Sequence, residues 1–514
     1  KTKQRRKFDF LCRIKMTNIL DLKQQLLQIL DSFGVITPEA FLAGVFVVFI
    51  IADLVITKQS SKLVASTVST SNFTVAGIIV LLINLYQVID QFATINDTFL
   101  FDKMLFIDAK AIFFKSLISI SGILMLLHIH INKYQFPNEF YAIAIAMIIA
   151  LQLMTMSVNL LMIYLAIEMV SLLSYILTTI NKDKVGAEGG IKYLIFGATS
   201  SAIMLYGMSL LYGMTGTLSI TSPDFSRGLT QVDELATTVA VVMTIAGFLF
   251  KLSATPFHIW TPDTYQAAPM PIVAFFSVAP KLATMLVALR FYMAVPNDLR
   301  LVTGVIALAT ITFGNFSALW QNKAKRLLAY STIAHSGFLL IGLVALSELS
   351  VKSLVFYLVT YLFANFAAFY LVDLLAIYLG TKNDFEIVQI KGLGRKNPAL
   401  GILLLITLVS LAGLPPTAGF FAKFNIFSAL WEAYQTADTQ KHILLLLFIF
   451  GLFNTAISLF FYLKIPFYLF FKNAETEFDT SLSTTQYLLA GALCLPLLGF
   501  FFKADWLMNL IALL

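Results

Sequence analysis

Four ionisable side chains stand deep inside long apolar stretches: Glu168 within residues 160–180, Lys251 within 235–260, Lys281 within 269–292 and Lys423 within 399–430. A charge at the centre of a membrane span costs roughly 2.5–3.5 kcal/mol even on lenient insertion scales, so these residue types point to proton or ion handling. A desolvated amine gives up its proton more readily, and a carboxylate on a neighbouring helix reverses that tendency. One acid and several lysines can therefore hand protons along. The bland alternatives are snorkelling for each lysine and, for Glu168, a packing carboxylate bonded only to a serine. His258 and His335 carry imidazoles suited to relay, although a histidine on an apolar helix is often hydrogen-bonded in the core. Lys192 follows Glu188 by four residues, the spacing of an ordinary helix-surface pair, and is a weaker relay candidate.

Two interruptions must position these groups. Pro256 lies five residues after Lys251 and lacks the N–H that its helical turn needs, so the helix breaks there. Leu414-Pro415-Pro416 interrupts the run that carries Lys423. Irregular backbone at membrane depth survives only where it lines a polar cavity, and paired interrupted helices in two halves of a chain mark ion sites in inverted-repeat transporters.

The rest of the sequence supplies the frame. Of 514 residues, 59% are hydrophobic and 12% charged, which excludes a soluble globular chain. The apolar runs predict an all-α polytopic membrane protein of about 14 spans, with two inverted five-helix repeats and two broken helices. The repeats are expected over about residues 137–292 and 299–471, inside a transmembrane domain spanning 38–514. Residues 1–37 read as an extension, basic to Lys15 and then amphipathic through Leu20, Leu22, Leu26, Leu27 and Leu30. Lysines concentrate in alternate loops, at Lys58, Lys62, Lys133, Lys182, Lys184, Lys323, Lys325, Arg326, Lys382, Lys391, Arg395 and Lys396, which orients those loops inward. Lys115 and Asp53 lie near the ends of their runs and read as interfacial, Arg290 as a boundary anchor. The net charge of +7 reflects this orientation and does not indicate a nucleic-acid partner. Cys12 and Cys494 form no Cys-x-x-Cys pair, and His128 and His130 point to different helix faces, so neither a cluster nor a metal is expected. No Gly-x-Gly-x-x-Gly or Walker sequence offers a nucleotide site.

The stretch from Phe250 through His258, Trp260, Pro262, Asp263 and Tyr265 to Pro271 resembles the subunit 2 family of NADH dehydrogenase. These are antiporter-like membrane-arm subunits of respiratory complex I. Tyr164-Leu-Ala-Ile-Glu168, Ala279-Pro-Lys-Leu, the run from Lys325 to His335 and the run from Leu411 to Lys423 carry the same resemblance, whereas Ala267-Ala268-Pro269-Met270 departs from the family's usual Gly-Ala-Pro loop. The resemblance implies that Glu168 and a lysine of the following helices form an input pair, that Lys251 and Lys281 form a central axis, and that Lys423 is the outlet-side lysine. It further implies a proton-translocating subunit of NADH:ubiquinone reductase with no redox centre of its own, while NADH, FMN, iron–sulfur clusters and ubiquinone belong to other subunits. Expected partners are the other membrane-arm subunits, including antiporter-like subunit 4 and the small membrane subunits, and lipids such as cardiolipin. The 47 phenylalanines suit an A+T-rich organelle genome and suggest the mitochondrial inner membrane, with a bacterial plasma membrane or a thylakoid as alternatives. A stand-alone cation/proton antiporter and a purely structural subunit remain open alternatives for function.

Overall fold

The computed structural model describes residues 26, 29–59, 64–296, 298–381, 384–473 and 482–514. The basic tail and most of the expected amphipathic stretch lie outside the described residues, as does Lys382.

Apolar sequence of spanning length becomes helix because lipid offers backbone groups no partner. The spans are α1 Thr37–Gln59, α2 Val64–Thr94, α3 Ala109–Ile131, α4 Glu139–Met156, α5 Leu160–Thr178 and α6 Lys184–Thr215. A broken helix follows, with halves α7a Glu234–Leu252 and α7b Trp260–Ala267. Next come α8 Met270–Ala294, α9 Arg300–Leu319, α10 Ala324–Ala345 and α11 Glu348–Tyr378. The second broken helix has halves α12a Pro398–Ala412 and α12b Ala418–Thr436, and α13 Lys441–Phe471 and α14 Thr484–Phe502 complete the set. Among the described residues 13 helices are long and apolar enough to cross a membrane, and the shorter α12a, continued by α12b, adds one more crossing. The chain is a multi-pass helical membrane protein of the expected count.

Two details differ from expectation. The apolar run at 487–514 is not one helix, because Lys503 takes a non-helical conformation between α14 and a short helix Ala504–Ala512. Lys503 and Asp505 are both exposed, and such charges are better placed at an interface than inside a span. A two-stranded antiparallel hairpin, Thr98–Leu100 with Leu105–Ile107, also joins α2 to α3.

The helices are not equally enclosed. The apolar window of α8 is wholly buried and those of α10 and α11 are 94% buried, against 22% for α1. Lys281, His335 and Asp373 therefore sit on the helices farthest from lipid. The breaks are built alike: Ser253 (φ 60°) ends α7a and Gly413 (φ 85°) ends α12a, both left-handed, and a proline follows three residues later in each. At Gly413 the conformation favours glycine, and an added Cβ would also lie 2.6 Å from the Lys423 side chain.

Candidate functional site

Lys251 occupies the last turn of α7a and is buried. Its Nζ has no hydrogen-bond acceptor among the described residues and lies 5.6 Å from the Tyr193 ring centre and 5.5 Å from that of Phe250. Tyr193 of α6 stacks on Trp260 of α7b with ring centres 4.0 Å apart, so a ring facing the amine is braced by the far half of the broken helix. Such faces attract an ammonium without fixing its proton in a hydrogen bond.

The expected input pair is not a contact. Glu168 is half-buried on α5, and its carboxylate accepts a hydrogen bond from the Ser201 hydroxyl of α6. No described lysine forms an ion pair with it, and Lys251 and Glu168 interact only through space. The acid on α5 and the amine on α7a each pack on α6, which gives the acid a neutral donor, Ser201, instead.

Lys281, at the centre of α8, is held differently. Its Nζ donates to the Thr332 carbonyl at 2.8 Å and to Ser336 Oγ at 2.5 Å, and lies 3.4 Å from the Tyr361 hydroxyl. With neutral acceptors on α10 and α11 and 1% exposure, this amine cannot snorkel. Ser336 in turn donates to the carbonyl of Leu252, the residue after Lys251, so the first break and the central lysine share one hydroxyl.

Lys423 lies on α12b, buried, and donates to the Ala412 carbonyl at 2.8 Å. Ala412 is the last residue of α12a, so the ammonium caps the carbonyl end of a half-helix, where the helix dipole favours a cation. The Phe338 ring centre is 4.8 Å from the same nitrogen. Between Lys281 and Lys423 stands His335, whose Nδ1 meets the Tyr357 hydroxyl at 2.6 Å and whose Nε2 meets the Tyr462 hydroxyl at 3.0 Å. A cavity of about 10 Å³ touches His335, Tyr361, Ser410 and Lys423, space on the scale of one water. The sequence of groups is therefore Lys251, Leu252 carbonyl, Ser336, Lys281, Tyr361, His335 and Lys423.

Two expected relay residues fall outside this line. His258 is half-buried in the first break and packs on Phe313 at 5.8 Å, with no contact to a lysine. Lys192 is 41% exposed and pairs with Glu188 at 2.7 Å and with Asp263 at 2.9 Å. Asp263 also takes Arg326 at 2.9 Å, which makes this an ionic clamp of α6, α7b and α10 at the lysine-rich end. Lys325, expected as an inward loop lysine and as part of the resembling run, is fully buried and donates to the Ala268 carbonyl at 2.5 Å, pinning the turn between α7b and α8.

Reasoning from span ends also misplaced Lys115 and Arg290. Lys115 is not interfacial: it is 0% exposed, pairs with Glu39 (3% exposed) at 2.6 Å and donates to Gln91 at 2.8 Å. Helix α3 is packed against α2, α4 and α8, and Glu39 of α1 reaches its lysine, so Lys115 has no lipid boundary to reach. The polar residues at Ser116, Ser119 and Ser121 on the same helix were the available signal. Arg290 is paired with Asp108 at 2.6 Å and donates to the Thr155 carbonyl at 2.8 Å, rather than anchoring freely. His128 and Asp373 meet at 2.8 Å, a contact between α3 and α11 that neither helix signals alone.

Residues 157–458 match the family described as NADH:quinone oxidoreductase/Mrp antiporter, transmembrane. The chain is 35% identical over 487 residues to NADH-quinone oxidoreductase subunit N of Chlorobium chlorochromatii, covering 90% of this chain and 91% of that one. It is 36% identical to NAD(P)H-quinone oxidoreductase subunit 2 of Thermosynechococcus vestitus, covering 84% and 81%. A chain in the structure of respiratory complex I from Thermus thermophilus has the same fold, with a TM-score of 0.75 and 26% identity over 92% of this chain and 99% of that one. A chain of the Mrp complex from Dietzia is alike in fold alone, at TM-score 0.76 and 17% identity over 93% and 96%. These relatives are bacterial and cyanobacterial, so the mitochondrial location read from phenylalanine content has no support among them. Phenylalanine is equally what a lipid-facing helix surface demands.

Proposed function

The chain belongs to the NADH:quinone oxidoreductase/Mrp antiporter membrane family, and on that premise we propose that Lys251, Lys281 and Lys423 relay protons across it. It is an antiporter-like membrane subunit of the NADH-quinone oxidoreductase type, the membrane part of complex I. In complex I the redox cofactors are carried by other subunits, and the work assigned to this chain is electrostatic.

The observation that carries the reading is Lys281, an amine sealed among neutral oxygens with no carboxylate against it. An ammonium there is stabilised only by hydrogen bonds and distant charges, so its hold on the proton changes with the charge of its neighbours. Glu168, bonded to Ser201, is the acid through which a change at the subunit edge reaches Lys251 without a direct ion pair. Protonation of Lys251 disfavours a second charge on Lys281 and drives that proton through Tyr361 and His335 toward Lys423. Moving one charge against 100 mV costs about 2.3 kcal/mol. A hundredfold change in proton affinity, about 2.7 kcal/mol, is therefore the scale each step must reach. His258 and Lys192 have no part in this line and are assigned positioning roles at the first break and the ionic clamp.

The partners proposed are other membrane-arm subunits, with an antiporter-like subunit 4 and small membrane subunits as neighbours and lipids such as cardiolipin around them. Lys423 supports a lateral neighbour, because a cleft of about 560 Å³ between α12b and α13, lined by Phe424, Trp431 and Phe448, reaches its side chain from the lipid face. The deciding experiment is proton pumping by the intact complex in vesicles. Lys281→Met should assemble in a particle of full size and lose most of its proton-to-electron stoichiometry. Full stoichiometry would overturn the assignment, and a small particle that exchanges cations for protons without NADH would replace it with a stand-alone antiporter.

A further inference from the structure

Resting on the relay just proposed, we infer that His128 and Asp373 form a proton-loading pair that feeds Lys281 from the lysine-rich side of the membrane. The pair lies partly outside the family match, because His128 belongs to α3, before residue 157. It is the one imidazole–carboxylate contact among the described residues, and both side chains are buried.

The carboxylate is fully engaged. Its Oδ2 accepts from His128 Nε2 at 2.8 Å and from Asn132 at 2.7 Å, and its Oδ1 accepts from the Tyr134 hydroxyl at 2.6 Å. With Nε2 on the carboxylate, His128 Nδ1 is the ring site left to take up or release a proton, and it has no partner among the described residues. Other charged or titratable groups around the pair are few: Lys325 of α10 acts on Asp373 through space, and Tyr370 of α11 packs edge-on against His128 at 4.8 Å. Gln486 of α14 donates to Asn132 and closes that side.

The pair has an opening toward water. Tyr134 lines a polar cleft of about 320 Å³ together with Thr74, His130, Lys133 and Gln135, at the lysine-rich end. Its hydroxyl can receive a proton from the cleft as it passes its own to Asp373, so one proton enters and none is lost from the tyrosine.

It also has a path inward. On α11, Tyr361, Asn365, Phe369 and Asp373 follow one another at steps of four residues, each about 40° round the helix from the last, so the four form a stripe that winds about a third of the way round α11. The stripe is about 18 Å long and runs from the Lys281 neighbour to the pair. Only Phe369 interrupts its polarity, and beside that ring, at 6.1 Å, lies Tyr265 of α7b. The Tyr265 hydroxyl and Asn365 Oδ1 are both buried without a protein partner. Buried polar atoms are normally paired by protein or by water, so these two, one on the stripe and one beside Phe369, are polar stations at which a proton path can pass the ring. The proton taken by the pair leaves along it to Lys281 Nζ in its neutral form, and the pair returns to neutral histidine and carboxylate.

The test is pumping and NADH oxidation by the intact complex in native membranes between pH 6 and 9, with Asp373→Asn, Asp373→Glu and His128→Gln. Loading through the pair predicts a three- to tenfold loss in D373N, at least half recovered in D373E, and a pH–rate profile of H128Q displaced by a unit or more. A structural clamp alone would leave the profile in place and make D373E as poor as D373N, and that outcome overturns the inference. If D373N does not assemble, Tyr134→Phe carries the test, because it keeps the ring and removes one hydroxyl; a normal rate and profile in Y134F overturns the route. Loss of pumping in Lys281→Met with normal D373N and Y134F rejects this inlet alone, whereas full pumping in Lys281→Met rejects the relay on which it rests.

Discussion

Lys423 reaches back across the break in its own helix to donate to the Ala412 carbonyl at 2.8 Å. The charge is thus placed where the peptide dipoles of α12a already invite a cation. Lys423→Met should leave that carbonyl unpaired, lowering thermal stability by about 1–3 kcal/mol, and should lower proton pumping more than NADH oxidation by uncoupled membranes. Lys423→Arg should not restore pumping, because a guanidinium does not give up its proton. Vesicle acidification measured beside NADH consumption separates the two effects.

Gly413 answers to two constraints at once, its positive φ of 85° and the Lys423 stem at 2.6 Å from a prospective Cβ. Gly413→Ala should cost about 1–2 kcal/mol for the left-handed conformation and also displace the amine. Unfolding of the detergent-solubilised complex should move to lower temperature, and a Tm equal to the parent would show that the break relaxes freely.

His335 is fixed between two tyrosines. Replacing it by alanine leaves the Tyr357 hydroxyl to find a new partner, at about 1–3 kcal/mol, while the Tyr462 hydroxyl keeps its bond with Ser331. The variant His335→Gln, which preserves some hydrogen bonding but cannot carry a proton, should assemble better than His335→Ala and pump as poorly. Equal pumping in H335Q and the parent would remove His335 from the relay.

Lys115 and Glu39 invite a double-mutant cycle. Removing either partner strands a buried charge, at about 3–5 kcal/mol, while replacing both by apolar residues should recover most of the loss. Native-gel assembly and thermal melts of Lys115→Met, Glu39→Leu and the double variant test this. Additive losses would mean that the two residues do not act as a pair.

Asp384, in the loop after α11, lies outside the spans. Burial raises its carboxyl above the usual range, against the pull of Lys325, of backbone N–H groups from Phe385 and Lys325, and of Lys323. The folded chain therefore holds this proton more tightly than the unfolded chain. Its contribution to stability is fully present below the ordinary aspartate value, about 4, and is lost as pH rises through the raised folded value. Asp384→Asn should flatten that part of the stability–pH curve, read from melts at pH 4–7, and an unchanged slope would contradict the shift.

Hydropathy made the spans, both breaks and the four central charges legible, because spanning length and helix-breaking prolines are local properties. It did not reveal which way each side chain faces. Glu168 meets Ser201 and not a lysine, His335 meets Tyr462 from 127 residues away, and Lys115 finds Glu39 on α1. Each of these depends on the rotation of one helix about its axis against another, and α8 and α11 are enclosed on every side, so no single apolar face announces it. Lys115 is read by distance from a span end, which fails for a helix enclosed by others.

The Ser336 hydroxyl has a single hydrogen, and three oxygen or nitrogen neighbours compete around it: the Leu252 carbonyl, the Thr332 carbonyl and Lys281. While Lys281 is an ammonium it can only donate, and the serine hydrogen stays on a carbonyl. Once Lys281 is neutral its lone pair becomes an acceptor, and one rotation about the serine Cβ–Oγ bond swings the hydrogen away from Leu252. The carbonyl uncovered by that rotation belongs to the turn that follows Lys251. A hydroxyl rotor thus adds a hydrogen-bond link to the electrostatic coupling between the two lysines, and Ser336→Ala would leave only the electrostatic part.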